Sequence, residues 1–468
     1  MRALTLTLAA ALALTTTACA SSSGVSGPAP RATTATAPAP GAAAAKPRAK
    51  AADSVDWPTY HRDPLRTGFD QSVPQTTGAG EEWRSQDLDG KIYASPVVAG
   101  NTVIVATEGN SVYALDPTTG KVSWRQQLGA PVSGGSLPCG NIDPSGITST
   151  PVIDPAGGTV YAVAFVAPAR HVLFALDLTN GSVRFQRAVD APGSDPRVQQ
   201  QRGALALSQG RVYVPFGGLY GDCGAYHGYV VAAPADGGGG RLLSYRVRSA
   251  REAGIWAPSG PAVDGQGNIF VTTGNGSSTT RFDYGNSVLR LSPTLKLRDY
   301  FVPSNTTSLN RSDTDLGSVG PALLPNDRVF QIGKEGVGYL LNARRLGKRH
   351  PLASRHICSA AFGGTASDGA NVYVPCVDGI VAVRTGSHRL SVAWKGPGFR
   401  AGPPIVAGGA VWTLDLDGGV LYALSAADGS VIAKTSVGSV AQFTTPAESA
   451  GRVLVAAGTR VVAVTIRH

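Results

Sequence analysis

The sequence is poor in the patterns that usually announce chemistry. Its 468 residues contain no Gly-x-Ser-x-Gly elbow, no His-Glu-x-x-His and no phosphate-cradling glycine loop, which leaves out the common hydrolase, metalloprotease and nucleotide-binding signatures. No Cys-x-x-Cys occurs and the seven His are scattered, so a zinc site has no ligand spacing to rest on. The formal charge of +10 comes without a dense basic run or interleaved aromatics. That argues against nucleic acid and leaves, at most, a mild attraction to anionic lipid headgroups or cell-wall polymers. Asp415-Leu416-Asp417-Gly418 has the look of a calcium-loop fragment, but two alternating Asp beside Gly are most simply a turn.

What the chain does have is a recurring phrase. Val112-Tyr113-Ala114-Leu115-Asp116, Leu173-Phe174-Ala175-Leu176-Asp177 and Leu421-Tyr422-Ala423-Leu424-Ser425 are three clear copies. The Ala-like position recurs at 114, 175, 233, 290, 340, 382, 423 and 463. Spacing that settles to about 40–50 residues, with short apolar strands between Gly, Pro and Asn-Gly turns, is the mark of propeller blades. The last copy runs out of chain before its outer strand. Glu81-Glu82-Trp83-Arg84 resembles Val122-Ser123-Trp124-Arg125 and supplies the missing strand from the other end. The expectation is an all-β, closed eight-bladed β-propeller of four-stranded antiparallel blades; seven is the alternative, because the unit around 316–350 is degenerate.

Ahead of the ring, Arg2, the apolar stretch Ala3 to Leu14 and Thr16-Thr17-Ala18-Cys19 resemble the leader of a bacterial lipoprotein. The apolar stretch is too short to span a bilayer stably. The expected division is a signal peptide at 1–18, an Ala/Pro/Ser/Thr-rich tether at 19–53 and the propeller at 54–468. Cys19 would be acylated, which places the chain outside the cytoplasm on the outer face of the cell membrane; an ordinary signal peptide ending at Ala18 is the alternative. The other four cysteines form an even set in an exported chain, where disulfides are the default. Connections between blades and loops after second strands share one face of a propeller. Cys139 and Cys358 lie in the former, Cys223 and Cys376 in the latter. Keeping partners near gives Cys139–Cys223 and Cys358–Cys376.

Tyr113-Ala114-Leu115-Asp116-x-x-x-Gly120-Lys121-x-x-Trp124 resembles the repeat of pyrroloquinoline quinone (PQQ) propellers, and the resemblance covers roughly 54–468. It implies that Trp83, Trp124, Phe185 and Trp394 dock each blade on its neighbour. Trp57-Pro58-Thr59-Tyr60-His61-Arg62-Asp63 looks like the opening of quinoprotein dehydrogenase domains. The stretch from Ile255-Trp256 to Asn275-Gly276 is similar to the one that helps hold those enzymes' calcium. Ile332-Gly333-Lys334-Glu335-Gly336 is similar to the segment whose Lys reaches the quinone. Against an enzyme, the chain lacks the adjacent-cysteine disulfide that covers the quinone, and a full carboxylate set for calcium is not evident. The same repeat without a cofactor occurs in the propeller lipoprotein of outer-membrane β-barrel assembly.

The favoured expectation is therefore a monomeric, non-enzymatic binding or scaffolding lipoprotein of the envelope without cofactor or metal. Its partner would be an envelope protein or a small acidic ligand. The alternative is a PQQ- and calcium-dependent dehydrogenase of alcohols or sugars. Either way the channel mouth on the cysteine-bearing face is the candidate site. Positions just before each inner strand should ring it: Tyr93, Thr148, Arg202, Trp256, Asp315, Phe362, Arg400 and Phe443. Loops after second strands add Glu108, Asn275 and Lys334. Arginines, a lysine and aromatics suit a planar acid; the same residues also serve as salt-bridged channel plugs.

Overall fold

A computed structural model describes residues 56–468; the leader, the tether and Cys19 lie outside the described residues. Alternating apolar strands separated by tight turns fold into eight antiparallel sheets in succession, numbered here as blades 1 to 8. Blade 1 is Val97–Ala99, Thr102–Ala106, Ser111–Leu115 and Val122–Gln127. The recurring Ala-like residues, from Ala114 to Ala463, all fall in the third strand of their blade. The degenerate unit is a complete blade 5, made of Ala322–Leu324, Arg328–Gln331, Val337–Asn342 and Ala353–His356. Blade 8 closes the ring: Gly78–Arg84 pairs antiparallel with Arg460–Arg467, setting Trp83 opposite Ala463. Closure leaves no open end to the array, and it settles the count at eight.

Neighbouring blades are joined by a repeated contact. The indole Nε1 of Trp83 donates to Pro117 O at 3.0 Å, Trp124 to Leu178 O at 3.1 Å and Trp394 to Ala426 O at 3.0 Å. In each case the ring lies over a glycine of the next blade's turn: Gly120, Gly181 and Gly429. Phe185 covers Gly237 in the same way, without a donor to offer. Two disulfides, Cys139–Cys223 and Cys358–Cys376, brace the loops of one face.

The segment Trp57–Asp70 runs across the ring and touches every blade. Trp57 bridges Val98 of blade 1; Pro58 O accepts from Ile153 N of blade 2, Pro64 O from Val263 N of blade 4, and Leu65 O from Leu323 N of blade 5. Thr67 O accepts from Ser367 N of blade 6, and Phe69 pairs in parallel with Val406 of blade 7. Arg66 reaches Leu205 O beside blade 3 at 3.0 Å, while Tyr60 Oη accepts from Thr445 beside blade 8 at 3.1 Å. All these partners lie in or beside innermost strands, so the segment straps the inner edges together. Trp57, Tyr60, His61 and Arg66 are essentially fully buried in it.

Candidate binding site

The strap crosses the channel at the level of the inner strands. Residues that precede those strands are left facing the opposite, cysteine-bearing end, and there the site can be built up.

Arg202 lies at its heart. It is buried, with its guanidinium 6.0 Å from the Tyr93 ring and 5.5 Å from the Phe443 ring, a range in which an aromatic face attracts a cation. Nη1 donates to Thr148 O at 3.3 Å, but Nη2 has no hydrogen-bond partner. Glu108 is buried nearby: Oε2 accepts from Gly146 N at 2.6 Å, whereas Oε1 is unpartnered. Burial pushes the Glu108 carboxyl up to about 7, against hydrogen bonds from Gly146 and Thr148 and the charge of Arg202. No ion pair joins Glu108 to Arg202, so each keeps an unused polar atom in a desolvated setting, an arrangement that favours an incoming partner.

Around Arg202 the aromatics form a continuous set. Phe443 is 6.1 Å from Trp256 and 6.3 Å from Phe362, centroid to centroid. Its φ of +71° is left-handed backbone, which a bulky residue adopts only when its surroundings hold it there. Phe362, Arg400, Leu416, Gln442 and Phe443 line a cleft that opens beside this ring. Arg400 is tied at its rim to Asp417 at 3.1 Å, and that carboxylate holds the Arg400 pKa above its ordinary value. The Asp415 carboxylate accepts from Asp417 N and Gly418 N, so this segment is a turn.

A second group adjoins through Trp256. Lys334 Nζ sits 2.6 Å from Asp315 and 3.3 Å from Asp313. Asn275 donates its backbone N to Asp315 at 2.6 Å, and its side-chain amide, oriented to satisfy both carboxylates, reaches Asp315 at 2.7 Å and Asp313 at 3.2 Å. Gly274 lets both Asp315 and the Trp256 indole approach the same stretch of backbone, since a Cβ there would lie 2.5 Å from the one and 3.1 Å from the other. Burial raises the Asp315 carboxyl pKa against the pull of Lys334. For Lys334, burial works downward but the two carboxylates outweigh it, and its pKa is raised.

The eleven mouth residues thus fall into connected groups: Tyr93, Glu108, Thr148, Arg202, Trp256, Phe362 and Phe443 at the centre, Asn275, Asp315 and Lys334 to one side, and Arg400 across the cleft. Sequence reasoning missed Asp313 and Asp417, the carboxylates that neutralise Lys334 and Arg400. It placed Tyr60 and Arg66 in the stretch that looks like the opening of quinoprotein dehydrogenase domains but gave neither a role. Their signal was present as a polar-aromatic cluster ahead of the repeats, but nothing local says what such a cluster packs against.

A family model described as outer membrane protein assembly factor BamB matches residues 66–293, within the blades whose geometry is given above. The chain is a β-propeller, and just under half of it matches this PQQ-like family model. No curated protein matches it in sequence. Among solved structures, this propeller is similar to quinohemoprotein alcohol dehydrogenase from Comamonas testosteroni, at 16% identity and TM-score 0.70, over 89% of this chain and 81% of that one. It is similar to a europium-containing methanol dehydrogenase at 15% identity and TM-score 0.67, over 86% and 90%. It also matches BamB from Moraxella catarrhalis at 12% identity and TM-score 0.58, over 83% of this chain and 99% of that one. Identities this low speak for the fold alone, and that fold is shared by redox enzymes and by an assembly factor.

Proposed function

We propose that this PQQ-like propeller is a non-enzymatic binding module of the cell envelope, held at the membrane through lipidated Cys19, whose channel mouth takes a small acidic ligand or an acidic group of a partner protein. The observation that carries the reading is Arg202: a buried guanidinium flanked by Tyr93 and Phe443 with Nη2 free to donate. A carboxylate is its natural complement. Titration calorimetry with a panel of aromatic and sugar carboxylates tests this. Binding that is lost in Arg202→Ala supports the reading; no binding, or binding indifferent to Arg202, overturns it.

The dehydrogenase reading draws on Asn275, Asp315, Lys334 and Trp256, which do lie together. Their donor set does not fit a calcium ion. Asp315 is already engaged by the Lys334 ammonium and by two Asn275 donors, and Asp313 by Lys334 and the Asn275 amide. Calcium takes six to eight oxygen ligands. Among the described residues, the one cluster of three His, Cys, Asp or Glu donors is Cys358, Cys376 and Asp378, and its two sulfurs are joined as a disulfide. No pair of adjacent cysteines is present to cover a quinone.

A further inference from the structure

We propose that the outer flank of blades 4 and 5 is an electrostatic docking surface for anionic phospholipid headgroups. No dense basic run is visible along the chain, yet the fold gathers one. Residues 56–468 carry 36 Lys and Arg against 30 Asp and Glu, while residues 296–356 alone carry ten against five. Nearly all of the propeller's excess positive charge therefore lies in this one segment. The turn between the third and outer strands of blade 5 folds onto the outer strand of blade 4: Lys348 pairs in parallel with Phe301, Leu346 N donates to Asp299 at 2.8 Å, and Arg349 reaches Ser304 O at 3.3 Å. Lys296 and Arg298 of blade 4 thereby share a flank with Arg345, Lys348, Arg349 and Arg355 of blade 5, all six exposed.

The basic charge of this flank is not offset by ion pairs. Elsewhere Arg84, Arg125, Arg170, Arg184, Arg197, Arg400, Arg452 and Arg460 are each neutralised by a carboxylate. Within 296–356 Arg344 is paired with Asp327 at 2.8 Å and Lys334 with Asp315 at 2.6 Å, but none of the six is ion-paired among the described residues. The exposed large apolar side chains, Leu65, Val183, Tyr220 and Val431, all fall outside 296–356, so the flank offers attraction without insertion. The commitment to lipid rests on the envelope reading: a chain acylated at Cys19 stays beside its own membrane, where the headgroups are the polyanion at highest effective concentration.

The test uses the exported chain carrying Cys19→Ser, so that no acyl group contributes, and co-sedimentation with vesicles of mixed phosphatidylglycerol and phosphatidylcholine. Binding should weaken in high salt, vanish with phosphatidylcholine alone, and fall roughly a hundredfold when Arg345, Lys348, Arg349 and Arg355 are all changed to Ser. A control with the same charge loss at the ion-paired Arg125, Arg184, Arg197 and Arg460 should bind as before, and circular dichroism reports folding for both. Equal binding by the two variants, no binding to phosphatidylglycerol, or stronger binding to soluble poly(glycerol phosphate) than to vesicles would each overturn the proposal. Release of the unmutated chain from the membrane fraction of cells would instead count against the envelope reading.

Discussion

The indole ring of Trp124 occupies the space that a Cβ on Gly181 would need. Gly181 has a φ of +74°, so the same residue that turns blade 2 also opens the seat for blade 1. Gly181→Ala therefore meets both a left-handed backbone and an overpacked ring, and should cost about 2–4 kcal/mol. Trp124→Ala should cost about 3–5 kcal/mol by cavity formation. Because the two share one contact, the double variant should lose less than the sum, which urea unfolding of all three would show.

Arg66 should be among the most sensitive residues of the ring. Its buried guanidinium donates to Pro261 O at 3.0 Å, Thr59 at 2.6 Å, Tyr60 O at 2.9 Å and Leu205 O at 3.0 Å. Arg66→Ala leaves these acceptors in a dry interior and should lower stability by about 3–5 kcal/mol, or prevent folding. Lys in its place cannot make the forked contacts and should rescue only in part. Thermal unfolding of the variants decides it.

Two buried carboxyls each contribute stability that is lost as pH rises from acid to mildly basic. Burial lifts Glu108 to about 7, and burial together with Asp70 lifts Glu448 to about 8. Both folded values lie above the unfolded one, so their contribution is complete below about pH 4.5 and is lost as pH climbs through 7 and 8. Glu448→Gln and Glu108→Gln should each be more stable than the wild type at pH 9, by on the order of 1–3 kcal/mol, with the advantage gone below about pH 4.5. Urea midpoints across this range test the sign directly.

Removing the disulfides should be costly in proportion to the chain they close. Cys139 and Cys223 are 84 residues apart and Cys358 and Cys376 are 18 apart. Loop-closure entropy gives about 4–5 and about 3 kcal/mol respectively. Unfolding of Cys139→Ser/Cys223→Ser and Cys358→Ser/Cys376→Ser chains should show that order.

No alcohol or sugar dehydrogenase activity is expected with added calcium and PQQ, because Lys334 and Asn275 already hold the carboxylates that a metal would need. Dye reduction by alcohols that depends on both additions and disappears in Asn275→Ala and Lys334→Ala would reverse this conclusion.

Strand periodicity, the blade repeat and ring closure through Trp83 were legible in the chain, because alternation and turn residues are local signals repeated around the ring, and the Tyr-Ala-Leu-Asp phrase marks three of the units clearly. Each copy reports the same pleat and the same hairpin, so the pattern survives even where blade 5 is degenerate. The mouth could be located along the chain but not resolved. That Asp315 and Asp313 neutralise Lys334, that Asp417 neutralises Arg400, and that the buried Arg202 Nη2 has no hydrogen-bond partner depends on how loops from different blades meet. Likewise, nothing near Arg66 states that it bonds to residues beyond position 200, and nothing near Arg345 states that Lys296 shares its flank. Such contacts are set by blade register and by closing the ring. Local sequence determines which strands form, whereas the charges and polar groups that face one another are chosen only when eight blades are brought around a common axis.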